Sequence, residues 1–130
     1  MEPPEFAPGL SARVELTVTE ADTAQSLGSG DVPVLGTPRV LALAEAATVA
    51  ATARQLPGGM TTVGTRAELD HRAPTPVGRR VTAQATLAKM DGRRLLFEVV
   101  VRDDETVVAE VRVERMLLDR QRFISTALGE

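Results

Sequence analysis

The sequence lacks cysteine, tyrosine and tryptophan altogether, and its 130 residues include only three phenylalanines and one histidine. Without cysteine the chain can form neither a disulfide bond nor a thiolate zinc site, which fits a cytoplasmic protein. The scarcity of aromatic side chains leaves any ligand pocket without platforms for stacking. His71 is the only side chain whose unperturbed pKa lies near neutrality, which makes it a candidate for proton transfer.

Long apolar runs and a basic surface are also missing. The longest apolar stretch, residues 40–53, is interrupted by Glu45, Thr48 and Thr52 and is shorter than the ~20 residues that a spanning helix needs. The net charge is −3 and the arginines are scattered among 18 acidic residues, so we expect no membrane and no nucleic acid as a partner. The opening "MEPPEFAPGL" (residues 1–10) has no basic leader before an apolar core, and we interpret it as a frayed, proline-rich entry rather than a signal peptide.

A length of 130 residues predicts a single domain, residues 1–130. The alternation in "RVELTVT" (residues 13–19) predicts a half-buried strand. The polar, glycine-rich residues 20–36 predict a long surface loop, and such loops are often functional. Thr37, directly before a proline, has the signature of an N-cap, and the predicted helix continues to Gln55, where "LPGG" stops it.

Four further runs alternate with the period of strands, and no second long helix separates them. They are "TTVGTRAELDH", "RRVTAQATLAKM", "RLLFEVVVR" and "TVVAEVRVERML", at residues 61–71, 79–90, 94–102 and 106–117. The first should place Val63, Thr65, Ala67, Leu69 and His71 on one face, and Gly64, Arg66, Glu68 and Asp70 on the other. The second should point Val81, Ala83, Ala85 and Leu87 inward. A "DGR" hairpin and the acidic turn Asp103, Asp104 and Glu105 join these runs into an antiparallel meander. The tail, residues 119–130, predicts either a short helix or a frayed end.

The order strand, long helix, four strands predicts an α+β fold in which a five-stranded antiparallel sheet wraps around one long central helix. Residues 40–53 are apolar on nearly every side, so this helix must be buried. The layout is that of a hot-dog fold. Because a single curved sheet leaves part of the helix uncovered in a monomer, we expect at least a homodimer.

Glu45 is the only charged residue within residues 40–53. Helical spacing places it on one side of the helix with Leu41, Thr48, Val49 and Thr52. That stripe is either exposed to solvent or holds a carboxylate in a cleft at a subunit seam, and the lack of further charge in it speaks against plain exposure. A carboxylate in such apolar surroundings needs a hydrogen-bond donor close by or must hold a proton, and either condition suits acid–base or nucleophilic chemistry.

His71 lies in phase with Ala67 and Leu69, so the predicted register directs it toward the helix. Two interpretations remain open. It is either a histidine of the core or a proton-transfer group at the sheet margin, where "DHRAPTP" ends the strand and a cleft can open. Asp70 points to the opposite face and is badly placed to orient the imidazole.

Thr37 and Gly64 each allow a structural and a functional interpretation. Thr37 is first a helix cap, although the free amides of a helix N-terminus also suit a carbonyl oxygen or a phosphate. Gly64 marks either a bulge or a close approach of a ligand to the backbone. Arg39 and the paired arginines further on are interpreted as solvated charges. The sequence has no nucleophile elbow, no phosphate-binding glycine-rich loop and no spacing typical of a metal site.

Three segments, "GTPRVLALAE", "VGTRAELDH" and "TPVGRRVTAQATL", resemble the hot-dog thioesterases related to the fluoroacetyl-CoA thioesterase, over roughly residues 11–123. In that family a Thr at the start of the central helix, a Glu eight residues later and a His 26 residues beyond it form the active group, and Thr37, Glu45 and His71 have this spacing. The resemblance also implies that Gly64 and Arg115 contact the substrate.

The resemblance implies hydrolysis of an acyl-CoA thioester, with no metal or redox cofactor and with coenzyme A present only as part of the substrate. Glu45 would attack the carbonyl or activate water, His71 would transfer protons, and Thr37 would orient a partner or polarise the carbonyl. Thr37 and Glu45 are ~12 Å apart along the helix. We therefore hypothesise a site shared across the dimer, with Thr37 of one subunit near Glu45 or His71 of the other.

The loop before the helix departs from the family. The fluoroacetyl-specific enzyme has a loop rich in Phe, whereas the matching stretch here, "SGDVPVLG", contains no aromatic residue. We therefore carry over the fold and thioester hydrolysis but not the substrate.

Two other functions occur on the same fold. A non-catalytic hot-dog module that binds an acyl-CoA or another apolar ligand has no need for the Thr, Glu and His trio, although it could retain them from an enzymatic ancestor. An enoyl-CoA hydratase usually carries an Asp and a His close together near the central helix, and that motif is missing.

Overall fold

The computed structural model describes residues 4–104 and 106–130. The elements are β1 Ser11–Thr17, α1 Ala24–Leu27, α2 Thr37–Thr52, β2 Met60–His71, β3 Arg80–Asp91, β4 Arg94–Asp103, β5 Thr106–Asp119 and α3 Arg120–Ala127. A 3-10 turn, Glu20–Asp22, precedes α1. Among the described residues, no helix is both long and apolar enough to cross a membrane.

The strands form one antiparallel sheet in the order β1-β3-β4-β5-β2, with β1 and β2 at its edges. Its inner face packs on α2. The side chains predicted to point inward from β3 are all fully buried: Val81, Ala83, Ala85 and Leu87. Phe97 of β4 is the largest fully buried side chain of this core. The predicted sheet around one long helix is confirmed.

Helix α2 buries only one side. The side chains that it buries are Val40, Leu43, Ala44, Ala47, Thr48, Ala51 and Thr52. The Thr48 and Thr52 hydroxyls donate to the carbonyls of Glu45 and Val49, at 2.6 and 3.5 Å, so they are satisfied within the helix. The predicted polar stripe is therefore split, because these threonines are buried while Val49 is 45% exposed. The helix ends at Thr52 rather than at Gln55.

The opposite side of α2 is apolar and uncovered in this chain. Its exposed side chains are Ala42, Ala46, Val49, Ala50 and Ala53. The sheet thus wraps the helix incompletely.

A β-bulge in β2 changes which side chains face α2. The register shifts directly after Gly64, which lies opposite Arg115, and Thr65 becomes an extra residue in the strand. Gly64 therefore faces the helix on the same side as His71. The prediction that put Val63 rather than Gly64 on the helix side is wrong, because strict alternation does not allow for the extra residue.

Three segments that the sequence predicts as irregular, or leaves open, are ordered in the structure. Phe6 is 4% exposed and packs in the core, and Gly9 and Leu10 exchange backbone hydrogen bonds with Leu87 at 2.8 Å, so residues 4–10 are not frayed. The loop predicted over residues 20–36 contains the 3-10 turn and α1, and the tail forms α3. The first three residues of the predicted frayed entry, and Glu105 of the acidic turn, lie outside the described residues.

Candidate active site

The side chains of Thr37 and His71 meet where α2 begins and β2 ends. Thr37 Oγ1 lies 2.8 Å from His71 Nδ1, which is a hydrogen-bond distance. The neutral imidazole can accept this bond or donate it, according to which ring nitrogen carries the proton. The one histidine of the sequence is thus joined to the threonine at the helix start within a single chain.

Gly36, and not Thr37, is the N-cap of α2. Thr37 is the first residue of the helix, and no side chain caps it. A side chain at Gly36 has no room, because an added Cβ would lie 3.0 Å from Leu27 Cδ1 and 3.1 Å from the Ala24 backbone. The predicted capping role of Thr37 is wrong, and its hydroxyl bonds His71 instead.

A largely buried ion pair anchors the first turn of α2 to the preceding segment. Arg39 Nε donates to Asp22 Oδ1 at 3.0 Å, and the Arg39 side chain is only 32% exposed. Asp22 Oδ2 also accepts from the backbone N–H and the hydroxyl of Thr19, at 2.8 and 3.0 Å. Burial opposes the charged form of Asp22, but these hydrogen bonds and Arg39 together hold its pKa below the ordinary value. Arg39 is therefore a structural anchor rather than a solvated charge.

His71 has a second ring nitrogen, Nε2, that is buried and has no hydrogen-bond partner among the described residues. Burial lowers the pKa of His71, and the polar backbone of nearby Ala73 partly offsets that effect. The imidazole is therefore neutral at neutral pH and able to accept a proton. A buried polar atom without a partner calls for an explanation, and a catalytic role and a bound water molecule are two of those known.

Glu45 is held by Arg115 on the inner face of the sheet. Arg115 Nη1 lies 3.3 Å from Glu45 Oε2; the arginine side chain is 7% exposed and the glutamate side chain 40%. Burial lowers the pKa of Arg115, and the carboxylate of Glu45 opposes that effect. The expectation that Glu45 has a donor close by is met, because one carboxylate oxygen is bound to a buried cation while the side chain stays accessible.

Two residues of β2 complete the surroundings of this ion pair. Thr62 accepts from Arg115 Nε through its hydroxyl at 2.9 Å and from Arg115 Nη2 through its carbonyl at 3.0 Å. An added Cβ at Gly64 would lie 2.5 Å from Glu45 Oε2, which is too close for any real side chain. With the carboxylate in this position Gly64 has no space for a Cβ. Of the two interpretations of Gly64, the bulge is confirmed, and the approach of a ligand stays a prediction.

The candidate residues form two groups in one chain. Thr37 and His71 make the first, and Glu45 with Gly64 and Arg115 makes the second. The part of the shared-site hypothesis that paired Thr37 of one subunit with His71 of the other is wrong, because these side chains bond within one chain.

Sequence reasoning missed Thr62, whose hydroxyl looks like that of any other strand threonine. The signal that could have found it is its place two residues before Gly64, on the same side of β2. No three His, Asp or Glu side chains are grouped as metal ligands within the described ranges 4–104 and 106–130.

Comparison with known proteins identifies the family of this chain. Residues 18–121 match the model of the fluoroacetyl-CoA-specific thioesterase family. The chain is also 33% identical, over 90 residues, to the fluoroacetyl-CoA thioesterase of Streptantibioticus cattleyicolor.

The chain belongs to the fluoroacetyl-CoA-specific thioesterase family.

Solved structures of that family agree with the fold. The fluoroacetyl-CoA thioesterase itself superposes with a TM-score of 0.89 at 26% identity, over 98% of both chains. One of its mutants, in complex with fluoroacetate and CoA, superposes with a TM-score of 0.84 at 28% identity, over 91% of this chain and 99% of that one. A thioesterase superfamily member from Thermus thermophilus, 24% identical with a TM-score of 0.87 over 94% of this chain and 90% of its own, supports the fold alone. The sequence match to the Streptantibioticus cattleyicolor relative covers 69% of this chain and 65% of the relative's length.

Proposed function

We propose that this protein is a cytoplasmic acyl-CoA thioesterase that hydrolyses a small acyl thioester at a site between two subunits. Thr37, Glu45 and His71 are its catalytic residues, and Gly64 and Arg115 bind the substrate. Coenzyme A takes part only as the carrier of the acyl group. The observation that carries the proposal is the 2.8 Å contact between Thr37 Oγ1 and His71 Nδ1, in a chain that belongs to a thioesterase family.

The chemistry follows from the groups that each residue offers. The ion-paired carboxylate of Glu45 attacks the thioester carbonyl or activates a water molecule for that attack. The neutral imidazole of His71 accepts and returns the proton that the reaction releases, and the Thr37 hydroxyl orients that imidazole or polarises the carbonyl. Because Gly64 has no Cβ, the substrate and the Glu45 carboxylate can both lie close to its backbone.

Dimerisation through the edge strand β2 would bring the two groups together. An antiparallel pair with its two-fold axis near Glu68 sets Arg66 opposite the partner's Asp70 and Ala67 opposite the partner's Leu69. The bulge then lies opposite the partner's His71. Because directly opposed residues of antiparallel strands point to one face, Gly64 and Glu45 of one subunit would lie beside the Thr37 and His71 group of the other.

Two features support this assembly. Within residues 4–104 and 106–130, no strand pairs with the outer edge of β2, and an unpaired edge is a template for pairing with another chain. The exposed apolar side of α2 extends the surface that a second subunit could cover. We therefore propose a homodimer with two composite sites, each with Glu45 from one subunit and the Thr37 and His71 pair from the other.

A thiol-release assay tests the proposed activity. A panel of short, branched, aromatic and halogenated acyl-CoAs is offered to the wild-type protein, with Glu45→Gln and His71→Ala as controls. We expect release of free CoA from at least one short acyl thioester, and a loss of about a hundredfold or more in both variants. Tight binding of an acyl-CoA without turnover would contradict the enzyme and indicate a non-catalytic binding module.

A further inference from the structure

Thr62 holds the guanidinium of Arg115 through two of its own atoms. Its hydroxyl accepts from Nε at 2.9 Å and its carbonyl accepts from Nη2 at 3.0 Å. We propose that Thr62 is a positioning residue for thioester hydrolysis, which fixes Arg115 and, through Arg115, the carboxylate of Glu45. This inference rests on the proposed function.

The geometry of the guanidinium explains how Thr62 can act on Glu45 through Arg115. The group is planar, with its N–H donors in a fixed fork. Bonds at Nε and Nη2 therefore define both its plane and its rotation, and the direction of Nη1 follows. Nη1 is the atom that lies 3.3 Å from Glu45 Oε2.

The surroundings give Glu45 little other support. Its side chain is 40% exposed, and at Gly64 the carboxylate lies against backbone rather than against a side chain that could hold it. Arg115 is the cation that faces the carboxylate here, so an error in the orientation of Arg115 becomes an error in the position of Glu45. The Thr62 hydroxyl is in turn the only side-chain acceptor for Arg115 Nε among the described residues.

Thr62→Val tests the inference, because valine keeps the shape and the strand preference of threonine but cannot accept a hydrogen bond. Loss of one acceptor for a buried cation should lower kcat about tenfold or more, while KM changes by less than about threefold. Thr62→Ser keeps the acceptor and should restore kcat to within about threefold of the wild-type value. Thr61→Val makes the same change one residue earlier, on the other face of β2, and should leave kcat unchanged.

A spectroscopic measurement separates this inference from the proposed function. The Nε–H resonance of Arg115 should be protected from solvent exchange in the wild type and in Thr62→Ser, and should lose that protection in Thr62→Val. An active wild type, with Thr62→Val as fast as it and Nε–H still protected, overturns the positioning role alone. A wild type that hydrolyses no acyl-CoA overturns the proposed function and the positioning role with it, and the Nε–H signal then reports only whether the hydrogen bond exists.

Discussion

Gly64 shows how a single residue can be dictated by a neighbour that is remote in the sequence. Its backbone has no need of glycine, since its φ lies outside the left-handed region. The requirement comes from Glu45, whose Oε2 occupies the space in which a Cβ would lie. The reason for a glycine at position 64 therefore lies in the site rather than in the conformation of the strand.

Gly64→Ala should displace the Glu45 carboxylate while it leaves the fold intact. We expect kcat/KM to fall about tenfold to a hundredfold, with the free energy of unfolding changed by less than about 1 kcal/mol, because alanine suits a strand interior no worse than glycine. Gly58→Ala is the matched control, since an added Cβ there meets nothing within 4 Å. Unchanged kinetics of Gly64→Ala would mean that the position of the carboxylate is irrelevant to turnover.

Thr37→Val separates a catalytic hydroxyl from a helix cap. Because Gly36 is the N-cap, removal of the Thr37 hydroxyl should cost less than the roughly 1 kcal/mol typical of a lost cap. Activity should nevertheless fall about tenfold or more, since the hydrogen bond to His71 is lost, and Thr37→Ser should recover most of it. Thermal unfolding together with thiol release checks both parts. A variant that is much less stable but normally active per folded molecule would indicate that Thr37 caps the helix and takes no part in catalysis.

At the residue scale, the sequence identified the candidate site residues as a group only through the resemblance to the thioesterase family. Glu45 stood out as a lone charge, but its partner Arg115 is 70 residues away, and no local pattern links the two. The hydrogen bond between Thr37 and His71 likewise joins the ends of two separate elements. Distances of this kind are set by how the helix lies on the sheet, which periodicity does not specify.

At the scale of elements, the first turn of α2 is tied to the 3-10 turn before it. Asp22 accepts bonds from Thr19 and from Arg39, so the segment that carries Thr37 is held from one side. The peptide N–H of Gly36 also donates to the Asp22 carbonyl at 2.9 Å. Thr37, the proposed catalytic threonine, is thus positioned by a segment that the sequence predicts only as a loop.

Asp22→Asn should weaken this anchor, and the effect should depend on pH. The folded-state pKa of Asp22 is lowered, so its contribution to stability is present above the ordinary pKa of aspartate, about 3.9, and is lost as the pH falls through the lowered folded-state value. At pH 7 we expect Asn to cost about 1–3 kcal/mol. The gap between variant and wild type should narrow as the pH falls through the lowered folded-state pKa of Asp22. Urea unfolding at neutral and at acidic pH measures this, and a gap that does not depend on pH would contradict the assignment.

The strands were predictable from the sequence, and so was a short helix in the tail as one of two alternatives, whereas α1 was not. A period of two is a local property, so β1, β3, β4 and β5 and their buried faces followed from alternation. Helix α1 has four residues, too few for a helical period to show. The bulge inserts Thr65 as an extra residue into β2, and nothing in the residue types around it marks the insertion. Strict alternation therefore placed Gly64 on the wrong face.

At the scale of the whole molecule, the proposed active site requires a second subunit that pairs along β2. The chain has no cysteine, so a single introduced cysteine gives an unambiguous cross-link. Across a two-fold axis near Glu68, the two Cα atoms would be about 4.5–5.5 Å apart, within the range that a disulfide spans.

Glu68→Cys should therefore form a covalent dimer upon mild oxidation. Glu98→Cys, on the same outer face but on β4 inside the sheet, is the matched control and should remain monomeric on a non-reducing gel. A cross-link at position 98 but not at 68 would exclude pairing through β2. Efficient cross-linking of Ala67→Cys instead would indicate that the two-fold axis lies near Ala67. That position would separate Gly64 from the partner's His71.

Subunit mixing tests the central claim most directly, because it asks at once whether the protein is a thioesterase and whether its site is shared. When His71→Ala and Glu45→Gln subunits are mixed in equal amounts and allowed to exchange, each mixed dimer should contain one intact composite site. Thiol release should then rise from near zero to about one quarter of the wild-type rate. His71→Ala mixed with Thr37→Ala should stay inactive, because these residues belong to one group in one chain. Recovery in the second mixture but not in the first would contradict the account.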